Sequence, residues 1–286
     1  MIGFLNINKQ SGMTSSNVVV KIRKTFHIDK IGHMGTLDPM ASGVLPIAIG
    51  KATRLFDYFQ DKYKTYIAEF EFGYLTDTLD SEGQVVCQGG SIPNIKDVEL
   101  AIDKFRGLID QVPPDYSAKL VDGVRAYKLA RLGQSVDLKP KRVEIKEFEM
   151  LEHTATTKYS FRITCSSGTY IRSLARDLGL ELKTYCTMTQ LQRVESGVFN
   201  IDNSIDLDTL ITSNNIEQNL VSILDVFPNI PTINLNSTEF DKLRNGQMVL
   251  DRWNVGDIAF ALIDDNVLGV IEKLQDKVKL KTYLME

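Results

Sequence analysis

The apolar positions of this chain change period repeatedly, and each change marks a new element. Ile2–Asn8 is a short extended run and predicts a strand. Thr14, Ser15 and Ser16 then offer N-caps to a helix whose Val18, Val19, Ile22 and Phe26 fall on one stripe. Residues 27–43 hold Gly32, Gly35 and Gly43 and predict a loop. Val44–Ile49 is apolar and strand-like, and Ala52–Phe59 predicts a short helix. Tyr66–Phe72 alternates with period two and predicts a strand. If Ile67 faces the core there, Tyr66 faces the other side.

Thr76–Gly83 is polar and turn-rich. Ile95–Phe105 predicts an amphipathic helix. Pro113-Pro114 breaks the chain, and Arg125–Leu132 predicts a short helix closed by Gly133. Val143–Glu152 and Thr157–Cys165 predict strands. After Gly168, the residues Ile171, Leu174, Ala175 and Leu178 take the i, i+3, i+4, i+7 spacing of a helix that Gly179 ends. Asp206–Ile211 and Glu217–Val226 predict two helical stretches before Pro228 and Pro231. That proline-bounded segment predicts a boundary, with one domain over residues 1–231 and a second over 232–286. The second is a small β module with turn signals at Gly246, Asn254–Gly256 and Asp264–Asn266.

Composition narrows the class. Hydrophobic residues make up 43% and charged residues 24%, as in soluble globular chains. No apolar run approaches the roughly 20 residues a bilayer needs, and no secretory leader is recognisable. Cys87, Cys165 and Cys186 are odd in number and far apart. They argue against a disulfide framework or a zinc site and suit a cytoplasmic protein. The net charge of −4 is unevenly spread. Residues 1–60 hold 7 Lys/Arg against 3 Asp/Glu, and residues 200–286 hold 7 against 14. A phosphate-binding face is expected near the N-terminus and acidic, solvated surface in the last third.

Several residues invite a chemical reading, and each has an ordinary use as well. Asp38-Pro39, among glycines, marks a turn or helix cap. Yet Gly43 and Pro46 leave room for no more than a turn of helix, which frees the carboxylate for other work. His33 is one of only three histidines, with no metal-ligand spacing around it. Tyr66 is either a sheet tyrosine or a flat ring for stacking a base. Arg172, near a helix start, lies off the apolar stripe. It is either solvated or paired with an anion, because the helix dipole there repels cations.

Taken in order, these motifs resemble one family. Gly32-His33-Met34-Gly35-Thr36-Leu37-Asp38-Pro39-Met40-Ala41-Ser42-Gly43-Val44-Leu45 resembles the catalytic loop of the TruB family, the tRNA pseudouridine-55 synthases. Lys9-Gln10-Ser11-Gly12-Met13-Thr14-Ser15 is similar to the motif that precedes it. Lys64-Thr65-Tyr66, Thr76-Asp77-Thr78-Leu79-Asp80, Gly168-Thr169-Tyr170-Ile171-Arg172 and Leu191-Gln192-Arg193 follow in family order. The resemblance spans residues 2–200. Gln10 departs from the family's usual proline, Met34 from threonine and Gln192 from arginine. The lysine of Ser117-Ala118-Lys119-Leu120 comes one place early.

The resemblance implies a fold and a set of roles. The fold is α/β (α+β), a mixed and mainly antiparallel central sheet with an RNA-clasping insertion near residues 113–150 and a PUA-like C-terminal module. Asp38 matches the essential aspartate, Arg172 its arginine partner, and Asp80 a polar active-site position. Tyr66 matches the tyrosine that stacks on the flipped base and is implicated in proton removal. His33 matches the residue that fills the gap in the RNA, and Tyr170 and Leu191 match pocket walls. Lys9 is expected as a structural or RNA contact. The implied partner is the T-arm stem-loop of tRNA, bound by a monomer with no guide RNA, membrane, metal or cofactor. A guide-RNA-dependent catalytic subunit, a non-catalytic RNA-folding protein and a glycosidase are the alternatives. The last usually needs a second nearby carboxylate.

Overall fold

The computed structural model describes residues 1–60, 63–117, 119–121, 123–134 and 137–285. Of the Ser117–Leu120 motif, Ala118 therefore lies outside the described residues.

The chain opens with strand β1 (Gly3–Lys9) and helix α1 (Ser15–Phe26). Thr14 caps α1 by accepting a hydrogen bond from the Asn17 amide, and left-handed His27 ends it. The expected loop 27–43 is shorter than its glycines suggested. Ile31–His33 forms strand β2, paired with β3 (Ser42–Ile49). A 3-10 turn and α2 (Phe56–Gln60) lead to β4 (Lys64–Phe72). The hairpin β5 (Tyr74–Thr76) and β6 (Val85–Gln88) follows, then α3 (Ile95–Ile102) and β7 (Gly107–Gln111).

An excursion from Val112 to Pro140 carries the β8 (Leu120–Val121) and β9 (Val124–Arg125) ladder and helix α4 (Ala126–Arg131). Residues 141–150, expected in the insertion, belong to the main sheet as part of β10 (Lys141–Ala155). β11 (Lys158–Cys165), α5 (Ile171–Glu181) and β12 (Cys186–Ser196) complete the centre.

The sheet order is β14-β1-β3-β12-β4-β11-β10-β7, with β14 at Ile205–Asp206 and β13 (Phe199–Asn200) attached to β12. Among the described residues of this sheet, only β1/β14 and β3/β12 run parallel. The largest departure from expectation is β12, which the hydrophobic pattern did not announce. Bulges between Met188 and Gln190 and between Arg193 and Glu195 shift its alternation, and it buries Thr187 and Arg193. Gly179 does not end α5 but lies inside it. A Cβ there would sit 2.8 Å from Cys186, so this glycine permits close packing of α5 on β12.

In β4 the two faces are the reverse of the provisional reading. Tyr66 joins Ala68, Phe70 and Phe72 on the buried face, while Ile67, Glu69 and Glu71 line the half-open one. Phe70, Phe148 and Phe161 form the centre of this core, with centroids 4.9–6.4 Å apart.

After α6 (Leu207–Ser213), the stretch Glu217–Val226 is not one helix. A 3-10 turn at Glu217–Asn219 gives way to Val221, which exchanges both backbone bonds with Phe4 before α7 (Ile223–Val226). The C-terminal sheet begins with β15 (Thr232–Asn234) and includes a helix not foreseen, α8 (Ser237–Arg244), opened by a capping box from Asn236 and Glu239. With β16 (Val249–Leu250), β17 (Ile258–Ile263), β18 (Asn266–Leu274) and β19 (Lys277–Tyr283) it has the order β15-β17-β18-β19-β16, a curled PUA-like arrangement. It is fused to the rest by a shared core in which Phe260 meets Phe227, Phe227 meets Phe4, and Leu284 joins them.

Candidate active site

The loop that carries Asp38 is fastened from every side. Leu37 and Met34 are buried apolar anchors. Ser15, at the first turn of α1, accepts from the Leu37 amide at 2.9 Å and donates to its carbonyl at 3.1 Å. Lys9 is fully buried, and its ammonium donates to the carbonyls of Met13, Gln10 and Pro39. Burial lowers its pKa to about 8, with Asp38 opposing the fall. Lys9 is thus a staple between β1 and the turn after Asp38. That turn closes with Ala41 N donating to Asp38 O at 3.1 Å, so the Asp38-Pro39 pair does open a turn.

From the other side comes Arg193 of β12. Its guanidinium donates to Val44 O at 2.7 Å and Gly35 O at 3.1 Å, gripping both ends of the loop. Gly43, at φ +98°, is required here, because a Cβ would lie 2.2 Å from Arg193 O.

Asp38 itself projects from this frame with its side chain 33% exposed. Arg172, the second residue of α5, is 5% exposed rather than solvated. It takes the Asp38 carboxylate in a fork, Nε to Oδ2 at 2.9 Å and Nη2 to Oδ1 at 3.1 Å. The same guanidinium donates to Thr78 O at 2.9 Å and Tyr116 O at 3.1 Å, and stands 3.4 Å from Asp80 Oδ2. Asp80 is held in turn by the Thr78 hydroxyl at 2.6 Å and the Glu82 amide at 3.1 Å. To form this turn Leu79 adopts φ +64°, unusual for a residue with a Cβ.

Two cavities meet at this pair. Both are lined by Asp38, Arg172 and Ser117. The outer one, about 510 Å3, also has His33, Asp80, Tyr127 and Arg131. The inner one, about 280 Å3, has Lys64, Tyr66, Tyr170, Leu191 and Arg193. The residues singled out in the sequence therefore converge but divide: His33 lies on one side of Asp38, and Tyr66, Tyr170 and Leu191 on the other. Lys9 touches neither cavity and supports from behind. Lys64 and Arg193 were not singled out as site residues. Lys64 could have been, since it sits two places from Tyr66 on the same face of a strand.

The electrostatics follow burial. The Tyr66 hydroxyl is pushed up to about 12 by desolvation, with nearby Arg193 opposing the rise. The His33 imidazole is lowered by burial and then by Arg193, and its Nδ1 is buried with no hydrogen-bond partner among the described residues. Glu82 is raised by burial, then by Asp80 and Asp38. Among the described residues no cluster of three His, Cys, Asp or Glu side chains is arranged to hold a metal ion, and no helix is long and apolar enough to cross a membrane.

This loop, arginine and paired cavity belong to a recognisable lineage. Residues 23–171 match the model of the TruB family pseudouridylate synthase N-terminal domain. The chain is a member of the TruB family. It is 43% identical over 251 residues to the tRNA pseudouridine synthase B of Clostridium kluyveri, covering 88% of this chain and 86% of that protein. It is 40% identical over 286 residues to the enzyme of the same name from Francisella philomiragia, covering 98% and 94%. Among solved structures, a chain from a Cbf5-Nop10-Gar1 complex superposes with a TM-score of 0.74 at 24% identity, over 99% of this chain and 85% of that one. That likeness carries the fold: a pseudouridine synthase core with a mixed central sheet followed by a C-terminal β module.

Proposed function

We propose that this TruB-family chain converts uridine to pseudouridine at position 55 of tRNA, acting on the T-arm stem-loop as a monomer without guide RNA or cofactor. The observation that carries the reading is Asp38, a carboxylate gripped in a fork by a buried arginine where two cavities meet. The relatives named tRNA pseudouridine synthase B support the substrate.

The reaction breaks the N1–C1′ bond of uridine and rejoins the ring through C5. Atoms and electrons balance within the nucleotide, so no redox partner is required. The target base must leave its stack, which costs a few kcal/mol. The inner cavity has the scale of one nucleoside. Stacking on Tyr66 would return about 1–3 kcal/mol, with Tyr170 and Leu191 as walls. His33, in the outer cavity and neutral at pH 7 given its lowered pKa, fills the vacated space without introducing charge. Asp38 acts by attacking C1′, by attacking the ring, or by assisting elimination to a glycal. Arg172 holds its two oxygens in place, and Asp80 holds Arg172. The Tyr66 hydroxyl enters the reaction protonated, since its pKa lies near 12.

The test is pseudouridine mapping of tRNA incubated with purified protein. Wild type should convert a T-arm stem-loop without added guide RNA. Asp38→Asn should bind that RNA normally and turn over none of it. Near-wild-type conversion by Asp38→Asn would sink the assignment.

A further inference from the structure

We infer that Lys64 and Arg193 form a buried cationic wall that stabilises the uracil ring while it carries negative charge, an inference that rests on the proposed reaction. Lys64 is 7% exposed and Arg193 0%. Both line the inner cavity beside Tyr66. Their charged ends converge over the Asp38 loop: a Cβ on Gly35 would lie 3.7 Å from both Lys64 Nζ and Arg193 Nη1. Their hydrogen-bond partners are neutral. Lys64 donates to Ser167 Oγ at 2.8 Å, and Arg193 donates to the carbonyls of Val44, Gly35 and Thr36. Among the described residues neither forms a salt bridge with a carboxylate, while Arg172, which lines the same cavity, takes up Asp38 and Asp80.

Two like charges buried side by side without an anion are unfavourable. The lysine registers this, with its pKa lowered to about 8 by desolvation and then by Arg193. The arrangement suits a site where an anion is formed rather than bound. The uridine ring arrives neutral. As N1–C1′ breaks, the bonding pair stays with the ring and spreads over N1, O2 and O4. If Asp38 attacks, its oxygen bonds C1′ as N1 departs. If it assists elimination, it takes the C2′ proton. Either route leaves the same uracil anion. The ring then turns and C5 bonds to C1′; in the first route the Asp38–C1′ bond breaks and the pair returns to the carboxylate, and in the second Asp38 returns the proton to C2′. The C5 proton then leaves and N1 gains one. A preorganised cationic wall strengthens only the charged states, which raises the rate without tightening ground-state binding.

Arg193 also grips the Asp38 loop, so the informative substitutions are at Lys64. The experiment compares wild type, Lys64→Met and Lys64→Arg on a T-arm stem-loop, measuring the single-turnover rate and Kd separately. Lys64→Met should lose about 100-fold in rate with Kd within about twofold. Lys64→Arg should recover most of the loss. The groups facing Lys64 are Arg193 on β12, Cys165 on β11 and Lys141 on β10, with Tyr66 beside it on β4. The charged form of Lys64 is the active one, so the wild-type rate should fall above pH about 8, and Lys64→Arg should lack that fall. Lys9 has a similar pKa but is unchanged in both proteins.

A stem-loop with 5-fluorouridine at the target gives a second readout, the rate of glycosidic cleavage. Fluorine stabilises the ring anion, so the Lys64→Met defect should shrink by about tenfold. A full wild-type rate in Lys64→Met, or an equal defect on both substrates, overturns the inference. A loss that appears in Kd and not in rate overturns it in favour of a phosphate contact. An inactive wild type would remove the reaction itself, a result distinguishable from all of these.

Discussion

Replacing Arg172 by lysine keeps the charge and removes the fork. The guanidinium makes contacts at 2.9 and 3.1 Å to Asp38, 2.9 Å to Thr78 O and 3.1 Å to Tyr116 O, with Asp80 at 3.4 Å. An ammonium has three protons at one point and cannot span two carboxylate oxygens and two carbonyls on separate segments. At least two of these contacts should be lost. Hydrogen bonds to charged groups are worth about 1.5–3 kcal/mol each, and partial repair by the ammonium leaves a net loss of about 2–4 kcal/mol. For a chain of this size that is a fall in Tm of roughly 3–7 °C. The carboxylate would then swing within its 33% exposed setting. A displacement of about 1 Å should reduce the rate about 100-fold.

Arg172→Met goes further, leaving buried Asp80 and Asp38 without the cation they share. Such an orphaned charge costs about 3–5 kcal/mol. The assays are thermal unfolding and single-turnover conversion of a T-arm stem-loop under saturating enzyme. The expected order is wild type, then Arg172→Lys, then Arg172→Met in both. A single-turnover rate for Arg172→Lys within about threefold of wild type would refute the claim that the fork positions Asp38.

Three further outcomes follow from other parts of the site. Tyr66→Phe keeps the stacking face and removes the hydroxyl, so Kd for RNA should hold while the single-turnover rate drops about 100-fold; an unchanged rate would exclude proton handling by that hydroxyl. Gly43→Ala forces a Cβ to within 2.2 Å of Arg193 O at φ +98°, and thermal melts should show a loss of at least about 2 kcal/mol, with no loss if the strand can shift. Lys64 binds its proton more weakly in the folded chain than in the unfolded one. The unfolded chain therefore holds more protons between pH about 8 and 10.5, and stability gains a rising contribution there. Lys64→Met should remove that contribution from a plot of Tm against pH, and identical slopes would contradict the lowered pKa.

Much of the architecture was legible because local physics expressed it. The stripe of Val18, Val19 and Ile22 and the Thr14 cap define α1. The spacing of Ile171, Leu174, Ala175 and Leu178 defines α5. The ordered motifs from Lys9 to Arg193 marked the family, and Asp-Pro between glycines announced a turn. These signals reside in residues close together along the chain.

What stayed hidden depended on contacts between distant segments. β12 lies at the centre of the sheet, yet two bulges break its alternation and it buries an arginine where the pattern asks for an apolar residue. Gly179 reads as a stop and is a close approach. Tyr66 reads as half-exposed and is buried, because the packing of distant helices on the sheet decides which face of β4 is inside. Arg172 reads as solvated until Asp38, Asp80, Thr78 and Tyr116 arrive from three other segments. The sequence, through its ordered motifs, singled out Asp38 as the candidate carboxylate. That this carboxylate sits where two cavities meet, with paired cations behind the inner one, was decided by tertiary structure, since burial and charge proximity are properties of the folded neighbourhood rather than of any residue.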